Sequence, residues 1–359
     1  ATPLIDALLA KKLRVLVTTI TPTGSQQVMK RFGQQVEHQY VPYDFPQVVR
    51  RFFKKTNPRL GIIMETELWP NLIYQAKRMK MPLVLVNARL SDHSFKSYEK
   101  VRFVFKPVLN QFTAIFAQSE EDARRFIDLG ASPDLVQVLG NIKFDLQMNI
   151  SASKDCEQLK NQWGKERTVV IAASTHHDEE KQILSRLSKL KVAIPNVVLL
   201  IVPRHPERFQ EVYQLSEAQG FATGRRSQSA TIDANTEVII IDSMGELLSF
   251  YQTSDYAFVG GSLVPVGGHN VLEPIAVQVP VFCGPHMNNS KAICRDLCAA
   301  KAMMMVENVD ELIAAIGMMH GNKAQRQQQI ANASKVLEAN KGTVARYMEK
   351  IEEIMVLPR

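Results

Sequence analysis

The chain has 359 residues, 45% of them hydrophobic and 22% charged, with 17 glycines and a formal net charge of +7. That composition suits globular cores in about two domains and excludes a disordered or fibrous chain. It also excludes an evident membrane span, since the longest apolar runs, such as Val197–Val202, are strand-sized against the roughly 18 residues a spanning helix needs.

The chain opens at Ala1, without a methionine, in an amphipathic helical pattern, so an upstream segment, anchor included, is expected. In the first half, apolar runs predict strands at Arg14–Thr19, Val36–Tyr43, Leu60–Met64, Pro82–Asn87, Ala114–Ala117 and Val136–Leu139. Arg50-Arg51-Phe52-Phe53-Lys54-Lys55, after Pro46, reads as a short helix. Two readings stay open there: an anionic membrane surface, or a solvated helix with its phenylalanines in the core. Ser119-Glu120-Glu121-Asp122 is a capping box, and Gly130 ends the helix it starts. In the second half, strands are predicted at Thr168–Ala173, Val197–Val202, Val238–Ile241, Tyr256–Val259, Val281–Cys283 and Met303–Val306.

Near-continuous apolar strands alternating with helices predict parallel sheets covered on both faces. A polar stretch without a strand separates the two halves. The expected organisation is therefore α/β, with two doubly wound, Rossmann-like domains at 1–146 and 167–340, and a linker at 147–166. The tail is helical from Asp310, and Val344, Tyr347, Met348, Ile351, Ile354 and Met355 form one apolar stripe. A last helix, 341–359, should return to the first domain on that stripe.

Charge divides between the halves. Residues 1–150 carry 21 Lys+Arg against 13 Asp+Glu, a net of +8, and residues 151–359 carry 22 against 23, a net of −1. A basic first half points to an anionic partner, and no nucleic-acid motif accompanies it.

Ligands of open parallel sheets sit beyond the carboxyl ends of the strands, and polar residues gather there. Glu65-Thr66-Glu67-Leu68-Trp69-Pro70, Asn87-Ala88-Arg89, Gly140–Asp145, Ser174-Thr175-His176, Pro203–Arg208 and Asp242–Glu246 each follow a strand. Facing domains would bring these loops to a cleft. Phe258–Ala276 is the most telling segment. It has a short strand, Gly260-Gly261, a second pair Gly267-Gly268, then His269-Asn270 and a helix start at Val271-Leu272-Glu273. Glycines admit close approach of a ligand, and a helix N-terminus suits phosphate. Glu273 could accept hydrogen bonds from sugar hydroxyls, so the segment reads as a nucleotide-sugar site.

Cys156, Cys283, Cys294 and Cys298 match neither a disulfide framework nor a zinc ribbon. His176-His177-Asp178-Glu179-Glu180 reads as a helix start with acids at its N-terminus rather than as a metal site.

Together these motifs resemble the 3-deoxy-D-manno-octulosonic acid (Kdo) transferases of lipopolysaccharide assembly, glycosyltransferases of the GT-B fold. The resemblance spans essentially the whole chain. It runs through Thr18–Ser25, Glu65–Leu72, Asn87–Tyr98, Gly140–Asp145, Val202–Phe209, Phe258–Ala276 and Gly284-Pro285-His286. It implies inverting transfer of Kdo from CMP-Kdo to a lipid A precursor (lipid IVA), with release of CMP and no cofactor or metal. The implied partners are CMP-Kdo, the lipid precursor and the cytoplasmic face of the inner membrane, and no nucleic acid.

By motif, the resemblance gives Glu65 and Lys143 a transition-state role. It puts Pro203, Arg204, Met244, Gly245, Glu246, Asn270, Val271, Leu272 and Glu273 on CMP. Ser25, Arg89, Gly268 and His269 are further candidate substrate contacts. The family's general base is a glutamate of a Gly-Glu motif shortly before Pro3, absent from this chain, as is the N-terminal anchor. The expectation is therefore an N-terminally truncated enzyme that binds donor and transfers poorly. Two rivals remain: a GT-B enzyme using a UDP-sugar, as transferase or epimerase, and a non-enzymatic module for anionic lipid.

Overall fold

A computed structural model of the chain describes residues 1–145 and 166–356, with 158, 160, 161 and 164 between them, side chains of 229–231 excepted. The predicted linker thus lies largely outside the described residues. The chain divides into two compact units, Ala1–Gln147 with Asn340–Arg359, and Met148–Ala339.

The first unit holds β1 (Leu16–Thr19), β2 (Glu37–Tyr40), β3 (Gly61–Met64), β4 (Leu83–Ala88), β5 (Ala114–Ala117) and β6 (Val136–Val138). β3-β4-β5-β6 form a parallel sheet in chain order, while β1 and β2 pair only with each other. The expected strands of this half are all parallel, and hydrogen bonding divides them into a sheet of four and a pair. Side-chain packing continues where the hydrogen-bond ladder stops: Val15, Leu60 and Ile62 share one cluster.

Alternation along β4 makes the two cores. Leu83 and Leu85 face Val49, Phe53, Ile73, Leu109 and Phe126, from helices on one side. Val84 and Val86 face Leu4 and Leu8 of helix Thr2–Ala10, and Tyr347, Met348, Ile351 and Ile354 of helix Thr343–Val356. The apolar stripe of the tail thus closes the second face of this sheet. In helix Pro46–Thr56, Phe53 is buried and Phe52 packs on the core, while Arg50, Arg51, Lys54 and Lys55 are exposed. That is the core-facing reading of the phenylalanines.

The second unit is one parallel sheet of seven strands. They are β7 (Thr168–Thr175), β8 (Val197–Pro203), β9 (Thr223–Arg225), β10 (Val238–Ile240), β11 (Tyr256–Val259), β12 (Val281–Cys283) and β13 (Met304–Met305). Their order is β13-β12-β11-β7-β8-β10-β9. β9 is an edge strand whose Thr-Gly-Arg sequence carries no apolar signal. Val170 and Ala172 of β7 enter one core, and Val169, Ile171 and Ala173 the other. The chain starts at β7, builds outward through β8, then returns to place β11 on the other side of β7. The switch point between β7 and β11 is where such sheets open for a ligand.

Candidate functional site

At that switch point, β7 leads into Ser174-Thr175-His176 and β11 into Gly260-Gly261. Ser174 has φ 56 and Asp178 φ 72, left-handed values that are uncommon without glycine. Asp178's turn starts helix Glu179–Leu184 and sends its first two acids inward. Glu179 is fully buried. Its Oε2 accepts the N–H of Gly261 at 2.7 Å and of His176 at 2.9 Å. Its Oε1 accepts those of Ser262 and Leu263, both at 3.0 Å. Burial pushes this carboxyl up, and the four N–H donors pull against it. One internal anion therefore ties the glycine loop to the start of the neighbouring helix.

The glycines answer mainly to that packing. A Cβ on Gly260 would sit 2.7 Å from Ser174 O, one on Gly268 2.1 Å from Met287 Sδ, and one on Gly284 2.3 Å from Ser262 O. These glycines make room for the protein's own backbone and side chains.

Glu180, also fully buried, takes a two-pronged ion pair from Arg208, at 2.7 and 3.2 Å. Arg208 is thus structural. Arg204, at the end of β8, is exposed, and among the described residues it makes no ion pair. Three imidazoles lie near it. His176 Nε2 and His269 Nε2 are 2.8 Å apart, with ring planes 4° from parallel. His205 meets His176 edge-on at 5.2 Å. Burial, then His176 and Arg204, lower His269 to about 4. Burial and His205 lower His176. Arg204 gives the group a fixed positive charge, which suits an anion.

Asn270 accepts the N–H of Leu272 at 3.1 Å and donates to Glu273 at 3.0 Å. Burial raises Glu273, against that bond. Helix Leu272–Ala276 is short. Val271 and Leu272 turn their side chains into the core, so only their backbone is open to a ligand. Glu246 donates nothing as an anion and accepts from Arg226 at 3.0 Å and from Ser243. Burial raises it, but those bonds prevail and hold it below its ordinary value. Met244 is exposed and Gly245 has φ 91. Pro203 ends β8 beside Thr175.

The first unit has its own cluster at strand ends. Glu65, after β3, is exposed with φ 58. Lys143 lies in the turn Ile142–Asp145 after β6. Ala1, the residue before the first helix, lies within electrostatic reach of both Glu65 and Lys143. The Lys143 turn is firmly held. Lys143 N donates to Asn141 Oδ1 at 3.0 Å, and Ile142 N to buried Asn87 Oδ1 at 3.0 Å. Tyr347 donates to Gly140 O at 2.9 Å and accepts from Asn87 N at 3.2 Å. Asp145 accepts the N–H of Gly342 and Val344 and so caps the last helix. Arg89 follows β4 and its carbonyl accepts from Thr66. Ser25 lies in the first turn of helix Pro22–Phe32, after β1.

Pattern reading places Asn87, His176 and His205 in strand-end loops but does not find Glu179 or Tyr347 as site-building residues. Their partners lie far along the chain, and the one local signal was the unusual run of histidines and acids at 176–180.

Among the described residues no group of three or more His, Cys, Asp or Glu could hold a metal. Among the described residues no helix is long and apolar enough to cross a membrane.

The family model for 3-deoxy-D-manno-octulosonic-acid transferase (kdotransferase) matches residues 1–146. The chain is 40% identical over 356 residues to the 3-deoxy-D-manno-octulosonic acid transferase of Haemophilus influenzae, covering 98% of this chain and 83% of that protein. It is 32% identical to the enzyme of the same description from Bordetella pertussis, covering 98% and 84%. Among solved structures, a glycosyltransferase from Rickettsia africae matches with a TM-score of 0.64 at 15% identity, covering 99% of this chain and 94% of its own. That likeness shows the GT-B fold alone.

Proposed function

The chain belongs to the Kdo transferase family, and on that premise we propose that it moves Kdo from CMP-Kdo to a lipid A precursor, releasing CMP. The observation that carries the donor half is Arg204. It is an exposed guanidinium with no described ion pair, at the carboxyl end of β8 and within electrostatic reach of the His176–His269 pair. A guanidinium fork binds phosphate oxygens well.

Pro203, Met244, Gly245, Glu246, Asn270, Val271, Leu272 and Glu273 complete the donor site in this reading. Asn270 and the helix start supply polar backbone, and Glu273 accepts from a sugar or ribose hydroxyl. Lys143 offers a cation to developing negative charge, and Glu65 a carboxylate to an oxocarbenium-like centre. Ser25, Arg89, Gly268 and His269 are further substrate contacts.

The basic first unit also exposes apolar side chains, Tyr43 at 81%, Phe45 at 65% and Phe103 at 79%. These favour work at the inner membrane's cytoplasmic face on an acylated, phosphorylated acceptor.

The test is incubation with CMP-Kdo and lipid IVA, following CMP release and lipid mass together. Arg204→Ala and Lys143→Ala should each lower transfer at least about tenfold. Equal transfer by both variants, or transfer from a UDP-sugar alone, would overturn the proposal.

A further inference from the structure

Two imidazole nitrogens 2.8 Å apart share one proton: one Nε2 donates and the other accepts. His176 and His269 are therefore a pair whose charge depends on what lies around it. Each neighbouring charge can be placed. Glu179, beneath His176, spends its carboxylate on four backbone N–H groups. Glu180 and Arg208 neutralise each other in a fork. Glu207 lies 3.8 Å from His205 Nδ1, on the exposed side of the group. Arg204 alone acts on both members of the pair without a described counter-ion.

With no anion present, burial, mutual repulsion, His205 and Arg204 all keep the pair from gaining a second proton. Both histidines are accordingly held below their ordinary value. An anion seated at Arg204 reverses the electrostatic part of that balance. It cancels the guanidinium's repulsion and accepts a hydrogen bond from whichever imidazole faces it.

Resting on the donor reading above, we propose that His176 and His269 take up a proton from solvent when a nucleotide phosphate binds at Arg204. His205, packed edge-on against His176, positions that ring. Binding is then proton-linked, and the phosphate is met by an imidazolium as well as a guanidinium. No bond other than N–H is made or broken. The leaving phosphate of a transfer carries one more negative charge than the diester it comes from, so the linkage favours the moment of departure.

The experiment is calorimetric titration of the whole chain with CMP, in buffers of different ionisation enthalpy, at a pH where CMP is already the dianion. Net uptake approaching one proton is expected, with affinity falling by up to about tenfold per pH unit above neutrality. His176→Gln and His269→Gln should each bind CMP more weakly and flatten that dependence. Cytidine, which lacks the phosphate, should bind without uptake. If CMP binds with no uptake, or the uptake survives in the double variant, the proton belongs elsewhere and the inference fails while the donor reading stands. If CMP fails but UDP binds with histidine-dependent uptake, the donor reading fails and the linkage stands. Failure of CMP, UDP and inorganic phosphate alike overturns both. Histidine ring signals of the unsubstituted chain, followed by NMR with and without CMP, give the same answer should a variant not fold.

Discussion

Replacing Glu179 by glutamine keeps the side chain's shape and removes its charge. One oxygen that now accepts two backbone N–H groups becomes an amide nitrogen facing them. Hydrogen bonds to a charged acceptor contribute about 1.5–3 kcal/mol each, so losing two costs about 3–6 kcal/mol. Relief from burying a charge returns part of that, since an ion's desolvation is worth several kcal/mol. A net loss of about 2–4 kcal/mol should remain. The assay is urea unfolding, read from the transition of the second unit. CMP affinity should fall in the same variant, because the glycine loop loses its anchor at Gly261, Ser262 and Leu263. A variant within about 0.5 kcal/mol of the parent, with CMP affinity unchanged, would refute the claim that Glu179 holds the loop.

Arg208→Ala should strand the buried Glu180 charge and cost about 3–5 kcal/mol, whereas Glu180→Gln with Arg208→Met together should cost less; thermal unfolding compares them. Gly284→Ala puts a methyl 2.3 Å from Ser262 O, a backbone atom, so a loss of at least about 1–3 kcal/mol should appear as a lowered Tm. Tyr347→Phe removes the hydroxyl shared by Asn87 N and Gly140 O. It should cost about 1–2 kcal/mol and speed amide exchange across Gly140–Lys143. For pH, His269 charges only near 4 in the folded chain but near 6.5 when unfolded. The folded state therefore binds fewer protons, and its stability, full above pH 6.5, is lost as pH falls toward 4. The ring is partly solvated, so the loss is on the order of 1 kcal/mol after screening, and His269→Gln should flatten the unfolding midpoint between those pH values.

The central strands were legible because burial on both faces leaves an unbroken apolar run: Leu83–Val86, Val169–Ala173 and Val197–Val202 needed no other signal. β9 was not, because Thr223-Gly224-Arg225 is a short edge where backbone pairing, not side chains, makes the strand. The separation of β1–β2 from β3 is equally silent, since a ladder's continuity depends on tertiary placement. The strand-end loops and both glycine pairs stand out as composition. What those glycines touch does not, because Ser174 and Met287 reach them only through the fold. The acids at Glu179 and Glu180 suit a solvated helix start by rule. Asp178's left-handed turn sends them inward instead, where one organises the loop and the other binds Arg208.

The measurement closest to the central claim is the affinity of the chain for CMP against UDP, with Arg204→Ala beside the parent. The account predicts that CMP binds at least about tenfold tighter than UDP, a difference of about 1.4 kcal/mol, and that Arg204→Ala removes most of the CMP affinity. Equal or tighter binding of UDP, or CMP binding indifferent to Arg204, would contradict it.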